Sequence, residues 1–95
     1  MNIKDLHTAE KPVSALLLFK GTEGAATTIK ILQGKQLKEH ITKVPALLIS
    51  IEGEAIFENE NGLQETLLPG TYVNIEPLVK HWIKGISTCQ LVLLK

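Results

Sequence analysis

The sequence predicts a single all-β domain, an antiparallel barrel of about eight short strands. Short segments rich in β-forming residues recur along the chain, Gly, Pro or Asn separates most of them, and helical periodicity is nearly absent. The predicted strands are residues 13–19, 26–32, 46–51, 54–58, 63–68, 71–75, 80–84 and 88–94.

The first half of the chain contains three of these segments and one exception. Residues 13–19 form an apolar run closed by Lys20, and residues 26–32 alternate in hydrophobicity, as a half-buried strand does. Residues 35–40 lack strand character, but the segment is too short to form a helix on its own. Pro45 then opens the apolar run that ends before Gly53.

Turn signals divide the second half. Asn61 and Gly62 lie between two predicted strands and favour a tight hairpin, because both residue types tolerate positive φ. Pro69 and Gly70 predict another turn. The last segment ends in residues 91–94, which are apolar on both faces, so one face is available to fill the barrel and the other to meet a second subunit.

Length and charge limit the function classes. Ninety-five residues predict one domain over residues 1–95, with an N-terminal tail over residues 1–12. Ten lysines balance ten acidic residues, so the chain lacks the basic excess of a nucleic-acid-binding protein. The chain has no arginine, so it cannot form bidentate clamps on phosphate or carboxylate.

Cysteine content and apolar run lengths bear on the compartment. Cys89 is the single cysteine, which excludes an internal disulfide and fits a reducing compartment. The longest apolar run near the N-terminus, residues 15–19, is far shorter than the ~20 residues of a membrane-spanning helix. It is also too short for a signal peptide. We therefore expect a soluble, cytoplasmic protein with no membrane or nucleic-acid partner.

The spacing of glycines and histidines carries most of the functional information. Five residues separate Gly34 from His40, Thr42 lies two positions further on, and six residues separate Ala46 from Gly53. This spacing resembles the first motif of the cupin superfamily, G-x(5)-H-x-H-x(3,4)-E-x(6)-G. The resemblance implies a cupin-type jelly-roll barrel.

The second cupin motif, G-x(5)-P-x-G-x(2)-H-x(3)-N, is matched in part. Gly70 and His81 have the motif's spacing. Glu76, Leu78 and Gly85 stand at the motif's Pro, Gly and Asn positions. The chain therefore keeps the spacing between glycine and histidine in the second motif but lacks the motif's Pro, second Gly and Asn.

The resemblance also implies a reduced set of metal ligands. Metal-binding cupins use two His and one Glu of the first motif and one His of the second. Thr42 and Ala46 replace the second His and the Glu here, which leaves His40 and His81. A first-row metal usually needs three or four protein ligands. We therefore expect no tightly bound metal cofactor.

A divalent transition metal is the alternative. It would be held by the two histidines and a carboxylate from outside the motif. Glu54, Glu58 and Glu76 are the candidates on neighbouring strands. The directions of Glu54 and Glu58, which share a strand face with Ile56, stay undecided at this level.

Three functional hypotheses follow. The first is a barrel that binds a small molecule without catalysing a reaction, in an apolar lumen where His40, Thr42 and His81 orient the ligand. The second is a metal-dependent cupin enzyme, such as an oxygenase or isomerase, that uses His40, His81 and an additional glutamate. The third is a sensory module that acts with a separate DNA-binding protein. The sequence assigns neither catalytic residues nor the identity of the ligand.

The family resemblance, the small size and the doubly apolar last segment also predict a homodimer. Residues 13–19 are expected to add to the sheet of the partner and so to cover an open edge. His7 is expected to be solvated in the tail, and Cys89 to be a small core residue. Trp82 is expected on the strand face opposite His81.

Overall fold

Two antiparallel sheets form the domain in this computed structural model, which describes residues 1–8 and 10–95. A 3-10 helix, Ile3–Leu6, precedes nine strands within these residues. The strands are β1 (Val13–Lys20), β2 (Ala25–Ile31), β3 (Gln36–His40), β4 (Ala46–Glu52), β5 (Ala55–Asn59), β6 (Gln64–Leu67), β7 (Tyr72–Ile75), β8 (His81–Gly85) and β9 (Cys89–Leu94). The all-β prediction is confirmed.

The strand order describes a jelly roll. The larger sheet has the order β1-β2-β9-β4-β7, and the smaller sheet has the order β3-β8-β5-β6. Most neighbours within each sheet are distant in sequence, so the chain crosses repeatedly between the two sheets. Over the described residues, no helix is long and apolar enough to cross a membrane.

The sequence predicts eight strands, and β3 is the additional one. It lies in the segment that lacked strand character in the sequence. Gln36 pairs with Lys84 and Leu37 with Ile83, and the register then shifts before His40. Leu37 is half-buried, whereas the other four residues of β3 are exposed. An edge strand with a single inward side chain shows no period-2 pattern, which explains why the sequence did not predict it.

A single hydrophobic core fills the space between the sheets. It is built from alternating inward side chains of both sheets, and its largest fully buried members are Ile31, Leu48, Phe57, Leu67, Ile83 and Leu91. Cys89 is fully buried in the same core, as predicted, and this burial raises the pKa of its thiol.

His7 is buried against the outer face of the larger sheet, so the prediction of a solvated side chain was wrong. It is 6% exposed, and its Nδ1 and Nε2 atoms lie 2.9 Å from Ser14 Oγ and 3.1 Å from Thr28 Oγ1. Lys4 of the 3-10 helix forms an ion pair with Glu52 of β4 at 3.5 Å. The N-terminal segment thus lies on the sheet.

This burial of His7 predicts a loss of stability in mild acid. Burial, together with the positive charge of Lys30, lowers the pKa of His7 below its ordinary value of 6.5. Because imidazole binds protons more readily in the unfolded chain, the unfolded state gains protons first as the pH falls. The free energy of unfolding should therefore decrease as the pH drops through 6.5, until the lower pKa of the folded state is passed.

Urea unfolding at about pH 7.5 and about pH 5.5 measures this effect. His7→Gln keeps a polar side chain of similar length but does not titrate in this range. The variant should therefore lose less stability than the wild type between the two pH values. An equal loss in both proteins would contradict the burial of His7. The pH dependence of stability that remains in His7→Gln should come from His81, whose pKa is also lowered.

Exposed apolar side chains lie on both faces of β1, beyond the part of the larger sheet that the N-terminal segment covers. Leu16, Leu17, Leu18 and Phe19 of β1 are 40–66% exposed. β1 pairs with β2 of its own chain along its whole length, so only its other edge is open. This combination of an open edge and exposed apolar side chains is typical of a surface that another chain covers.

Candidate functional site

The two motif histidines meet at one end of the smaller sheet. His40 is the last residue of β3 and His81 the first of β8, and the antiparallel register pairs them. Their ring centroids are 4.4 Å apart, with an angle of 61° between the ring planes. The fold therefore brings together two side chains that lie far apart in the sequence.

The same local contact orients both imidazoles. Nδ1 of His40 lies 2.9 Å from the carbonyl oxygen of Lys38, and Nδ1 of His81 lies 3.3 Å from that of Val79. A carbonyl oxygen only accepts hydrogen bonds, so each Nδ1 carries a proton and donates it. In the neutral state each ring therefore keeps an acceptor lone pair on Nε2.

The two rings differ in their surroundings. His40 is exposed, whereas His81 is 2% exposed and stacks on the Phe57 ring at 5.5 Å and 21°. Burial lowers the pKa of His81, the Val79 carbonyl opposes this shift, and the nearby His40 and Lys95 reinforce it. His81 is thus held as a neutral hydrogen-bond acceptor near neutral pH.

Thr42 adds an unpaired hydroxyl to this end of the barrel. It is 3% exposed, and its Oγ1 atom has no hydrogen-bond partner among the described residues. A buried hydroxyl without a partner costs about 1–3 kcal/mol, and Ser50 Oγ and Gln90 Oε1 are two further unpaired buried polar atoms among the described residues. We call His40, Thr42 and His81 the mouth cluster.

A backbone hydrogen bond joins the two loops beside the mouth cluster. The Leu78 amide donates to the carbonyl oxygen of Thr42 at 2.8 Å. Leu78 has φ 64°, the only positive φ of a non-glycine residue in the described part of the chain. It occupies the glycine position of the second motif, so the backbone keeps the glycine conformation although the residue has changed. A left-handed conformation costs about 1–2 kcal/mol in a non-glycine residue.

Leu78→Gly should therefore stabilise the domain. We expect a gain of about 0.5–1 kcal/mol, because the relief of strain exceeds the added flexibility of the unfolded chain. Leu78 is 67% exposed, so its removal loses little packing. Urea unfolding measures the change, with Leu78→Ala as the control that keeps the strain. A Leu78→Gly protein less stable than Leu78→Ala would contradict the argument.

The donor set of the mouth cluster does not fit a tightly held metal. Ala46, at the glutamate position of the first motif, is buried among core side chains and has no donor atom. In residues 1–8 and 10–95, no three His, Cys, Asp or Glu side chains lie close enough to hold an ion together. Two imidazoles fall short of the three or four protein ligands of such sites.

The glutamates suggested by the sequence do not complete the set. Glu58 lies on the outer face, where its carboxylate accepts hydrogen bonds from Lys84 Nζ at 3.0 Å and Trp82 Nε1 at 3.1 Å. These two contacts lower the pKa of Glu58. Trp82 thus faces away from His81, as predicted. Glu54 precedes β5 at the end opposite the mouth cluster, and Glu76 is exposed.

A cavity of about 670 Å³ lies along the rim of the larger sheet. The turn between β1 and β2 walls it on one side and Pro45 on another, with Leu47 and Leu94 among its lining residues. None of the mouth-cluster residues lines it. The mouth cluster is therefore a separate feature, open to solvent through His40.

Sequence reasoning found the histidines and Thr42 but missed two of their neighbours. Phe57 supports the His81 ring, and only the three-dimensional pairing of β5 with β8 reveals this contact. The strained backbone of Leu78 had a signal in the sequence, since a leucine occupies a motif position where glycine is expected. The departure from the motif and the backbone strain thus have the same cause, a leucine at a position whose backbone conformation favours glycine.

Comparison with known proteins identifies the fold. No protein-family model matches the chain, and no curated protein matches it in sequence. Among solved structures, a cupin superfamily protein from Desulfitobacterium hafniense has a TM-score of 0.84 at 15% identity, covering 98% of this chain and 84% of its own. A cupin-2 domain protein from Shewanella frigidimarina has a TM-score of 0.81 at 15% identity, covering 100% and 92%.

A third similar structure is a Streptococcus pyogenes protein of unknown function. Its TM-score is 0.77 at 13% identity, and the match covers 90% of this chain and 75% of that one. Likeness at such low identity establishes the fold. The chain therefore has the cupin jelly-roll fold, as the motif spacing predicted.

Proposed function

We propose that this cupin-fold chain is a small-molecule-binding barrel that works without a tightly held metal. The ligand would bind at the mouth cluster, where its polar group would reach His40, Thr42 and His81. The single observation that supports this most is the pairing of the His40 and His81 rings at 4.4 Å, each held by a backbone carbonyl at its Nδ1 atom. A ligand with one or two polar groups would bind their Nε2 atoms.

Thr42→Val tests the proposal because valine has nearly the shape of threonine and lacks the hydroxyl. The variant should be as stable as the wild type or more stable, since it removes an unpaired buried polar group. It should also lose the thermal stabilisation that a ligand gives the wild type in a screen of sugars, small acids and aromatic metabolites. Thr66→Val, on the exposed part of β6, is the matched control.

The outcomes of this screen separate the alternatives. A ligand that stabilises the wild type and Thr66→Val but not Thr42→Val supports the mouth cluster as the site. A ligand that stabilises all three proteins equally places the site elsewhere and overturns the proposal. The absence of any stabilising compound across a broad library would also count against it.

The metal-free part of the proposal has its own measurement. Protein purified without chelator and without a histidine tag should contain iron, manganese, nickel and zinc at far less than one ion per chain. Stoichiometric metal would overturn this part and restore the hypothesis of a metal-dependent enzyme. His40→Ala would then show whether the mouth cluster holds the ion, since the metal content should fall in that variant.

We also propose that the chain forms a homodimer through β1. The Pro12 carbonyl accepts from the Leu32 amide, so the alternate residues Val13, Ala15 and Leu17 direct their backbone groups to the open edge. Two β1 strands that pair antiparallel about Ala15 bring these groups opposite each other. An isologous contact of this kind covers the same apolar surface on both copies.

Charge and sedimentation test the dimer. Pairing about Ala15 also places Glu10 opposite the partner subunit's Lys20, so the ends of the contact have opposite charges. Leu17→Glu should give a monomer in analytical ultracentrifugation, whereas Leu68→Glu, at an exposed leucine outside β1, should leave the dimer intact. A monomeric wild type, or a dimeric Leu17→Glu, would contradict the contact. We propose a cytoplasmic location without membrane or nucleic-acid partners, and the balanced charge supports the last of these.

A further inference from the structure

The turn between β5 and β6 exposes an asparagine that is followed by a glycine. The chain has four asparagines, Asn2, Asn59, Asn61 and Asn74, and only Asn61 precedes a glycine, Gly62. The other three precede isoleucine or glutamate, whose side chains crowd the next backbone nitrogen. Asparagine is a chemically labile residue, and its side chain reacts most readily when the next nitrogen is unhindered. Asn61 is therefore the most reactive asparagine of the chain.

The surroundings of this pair leave room for the reaction. Asn61 and Gly62 are both exposed, and a Cβ at Gly62 would meet no atom within 4 Å. Gly62 has φ 88°, a conformation that glycine adopts at no steric cost. Water therefore reaches the Asn61 side chain, and no packed neighbour stands over the Gly62 nitrogen.

The reaction is an intramolecular attack that ends in hydrolysis. The Gly62 backbone nitrogen gives up its proton and attacks Cγ of Asn61, so a new C–N bond closes a five-membered imide. The bond from Cγ to the side-chain nitrogen breaks, and this nitrogen takes up a proton and leaves as ammonia. Water then opens the imide at either carbonyl and leaves aspartate or isoaspartate at position 61. The reaction needs only water.

The folded turn restrains this attack with three hydrogen bonds. The Gly62 amide donates to the Asn59 carbonyl oxygen at 3.2 Å, and this bond must break before the nitrogen can lose its proton. The Asn59 side-chain oxygen, Oδ1, accepts from the Asn61 amide at 2.9 Å and from the Leu63 amide at 3.1 Å. These two bonds fix the peptide groups on both sides of the reacting one, so the attack requires a local opening of the turn.

We propose that Asn61 is a site of spontaneous deamidation and that the Asn59 side chain sets its rate. Asn59 lowers the population of the open turn, and the reaction proceeds from that open state. Deamidation adds one negative charge to a chain whose formal net charge is zero, so ion-exchange chromatography separates the product. The modification does not depend on the ligand site.

Asn59→Ala tests the restraint in folded protein kept for days in mildly alkaline buffer. Peptide mapping by mass spectrometry locates the reacted asparagine, and an isoaspartyl methyltransferase labels the isoaspartate product. The variant should deamidate at Asn61 about fivefold faster than the wild type or more, the factor that corresponds to one net hydrogen bond. Asn59→Asp keeps the acceptor oxygens and should react as slowly as the wild type.

Two controls separate opening of the turn from other effects. Ile83→Val loosens the core away from the turn and should leave the rate at Asn61 unchanged, so a general loss of stability does not account for a faster reaction. In guanidinium chloride the restraint is absent, so the wild type and Asn59→Ala should react equally fast. Gly62→Ala should react several-fold more slowly there, because the added methyl group crowds the attacking nitrogen.

Three results would overturn the proposal. Deamidation of the wild type chiefly at Asn2, Asn59 or Asn74 would rule out Asn61 as the site. Equal rates for the folded wild type and folded Asn59→Ala would rule out the role of the Asn59 side chain. A folded wild type that reacts as fast as the denatured chain would show that the turn gives no restraint.

Discussion

Gly53→Ala should destabilise the domain by more than about 3 kcal/mol, enough to unfold a large share of a small domain. Gly53 has φ +80°, which L side chains rarely adopt. An added Cβ would also overlap the carbonyl oxygen of Thr88 and lie 2.8 Å from Cys89 Cα. Both obstacles are backbone atoms at the start of the central strand β9, so they cannot move aside like a flexible side chain.

Gly62→Ala is the matched control for this substitution. Gly62 also has a positive φ, of 88°, but a Cβ there would meet nothing within 4 Å. Its loss should therefore be limited to the conformational cost of about 1–2 kcal/mol. Urea unfolding with circular dichroism compares the two proteins. A Gly53→Ala protein no less stable than Gly62→Ala would contradict the close contact between the β4–β5 turn and β9.

Gly53 also shows how motif spacing can predict a physical constraint without revealing its cause. The sequence predicts a turn glycine at this position. The contact that excludes a side chain involves Thr88 and Cys89, which are far away in the chain. The same holds for the mouth cluster, because spacing selects His40 and His81 and the register of β3 with β8 brings their rings together.

Three other features, β3 and the positions of the His7 and Glu58 side chains, have no local sequence pattern that predicts them. β3 exposes nearly all of its side chains, so its strand character depends on pairing with β8. His7 lies in a polar segment, and its burial depends on Ser14 and Thr28, two hydroxyls on separate strands that together satisfy both ring nitrogens. The direction of Glu58 could not be decided until the sheet fixed which face of β5 meets the core. Tertiary contacts decided all three.

Phe57→Ala should cost about 3–5 kcal/mol, the usual loss when a buried aromatic side chain leaves a cavity. Phe57 is 1% exposed and stacks on the His81 ring, so it serves the core and the mouth cluster together. Because a loss of this size can unfold a small domain, Phe57→Leu is the variant that reports on the site. We expect it to remain folded and to lose about 1–2 kcal/mol.

The His81 pKa separates the two roles of Phe57. Burial lowers this pKa below 6.5, so a smaller side chain that admits water should raise it towards 6.5. An NMR titration of the His81 ring measures the change. Ile83→Val, in the same core and opposite Phe57 on β8, should lose about 1 kcal/mol and leave the His81 pKa nearly unchanged. Equal pKa changes in the two variants would mean that general loosening of the core, rather than the Phe57 ring, sets the protonation of His81.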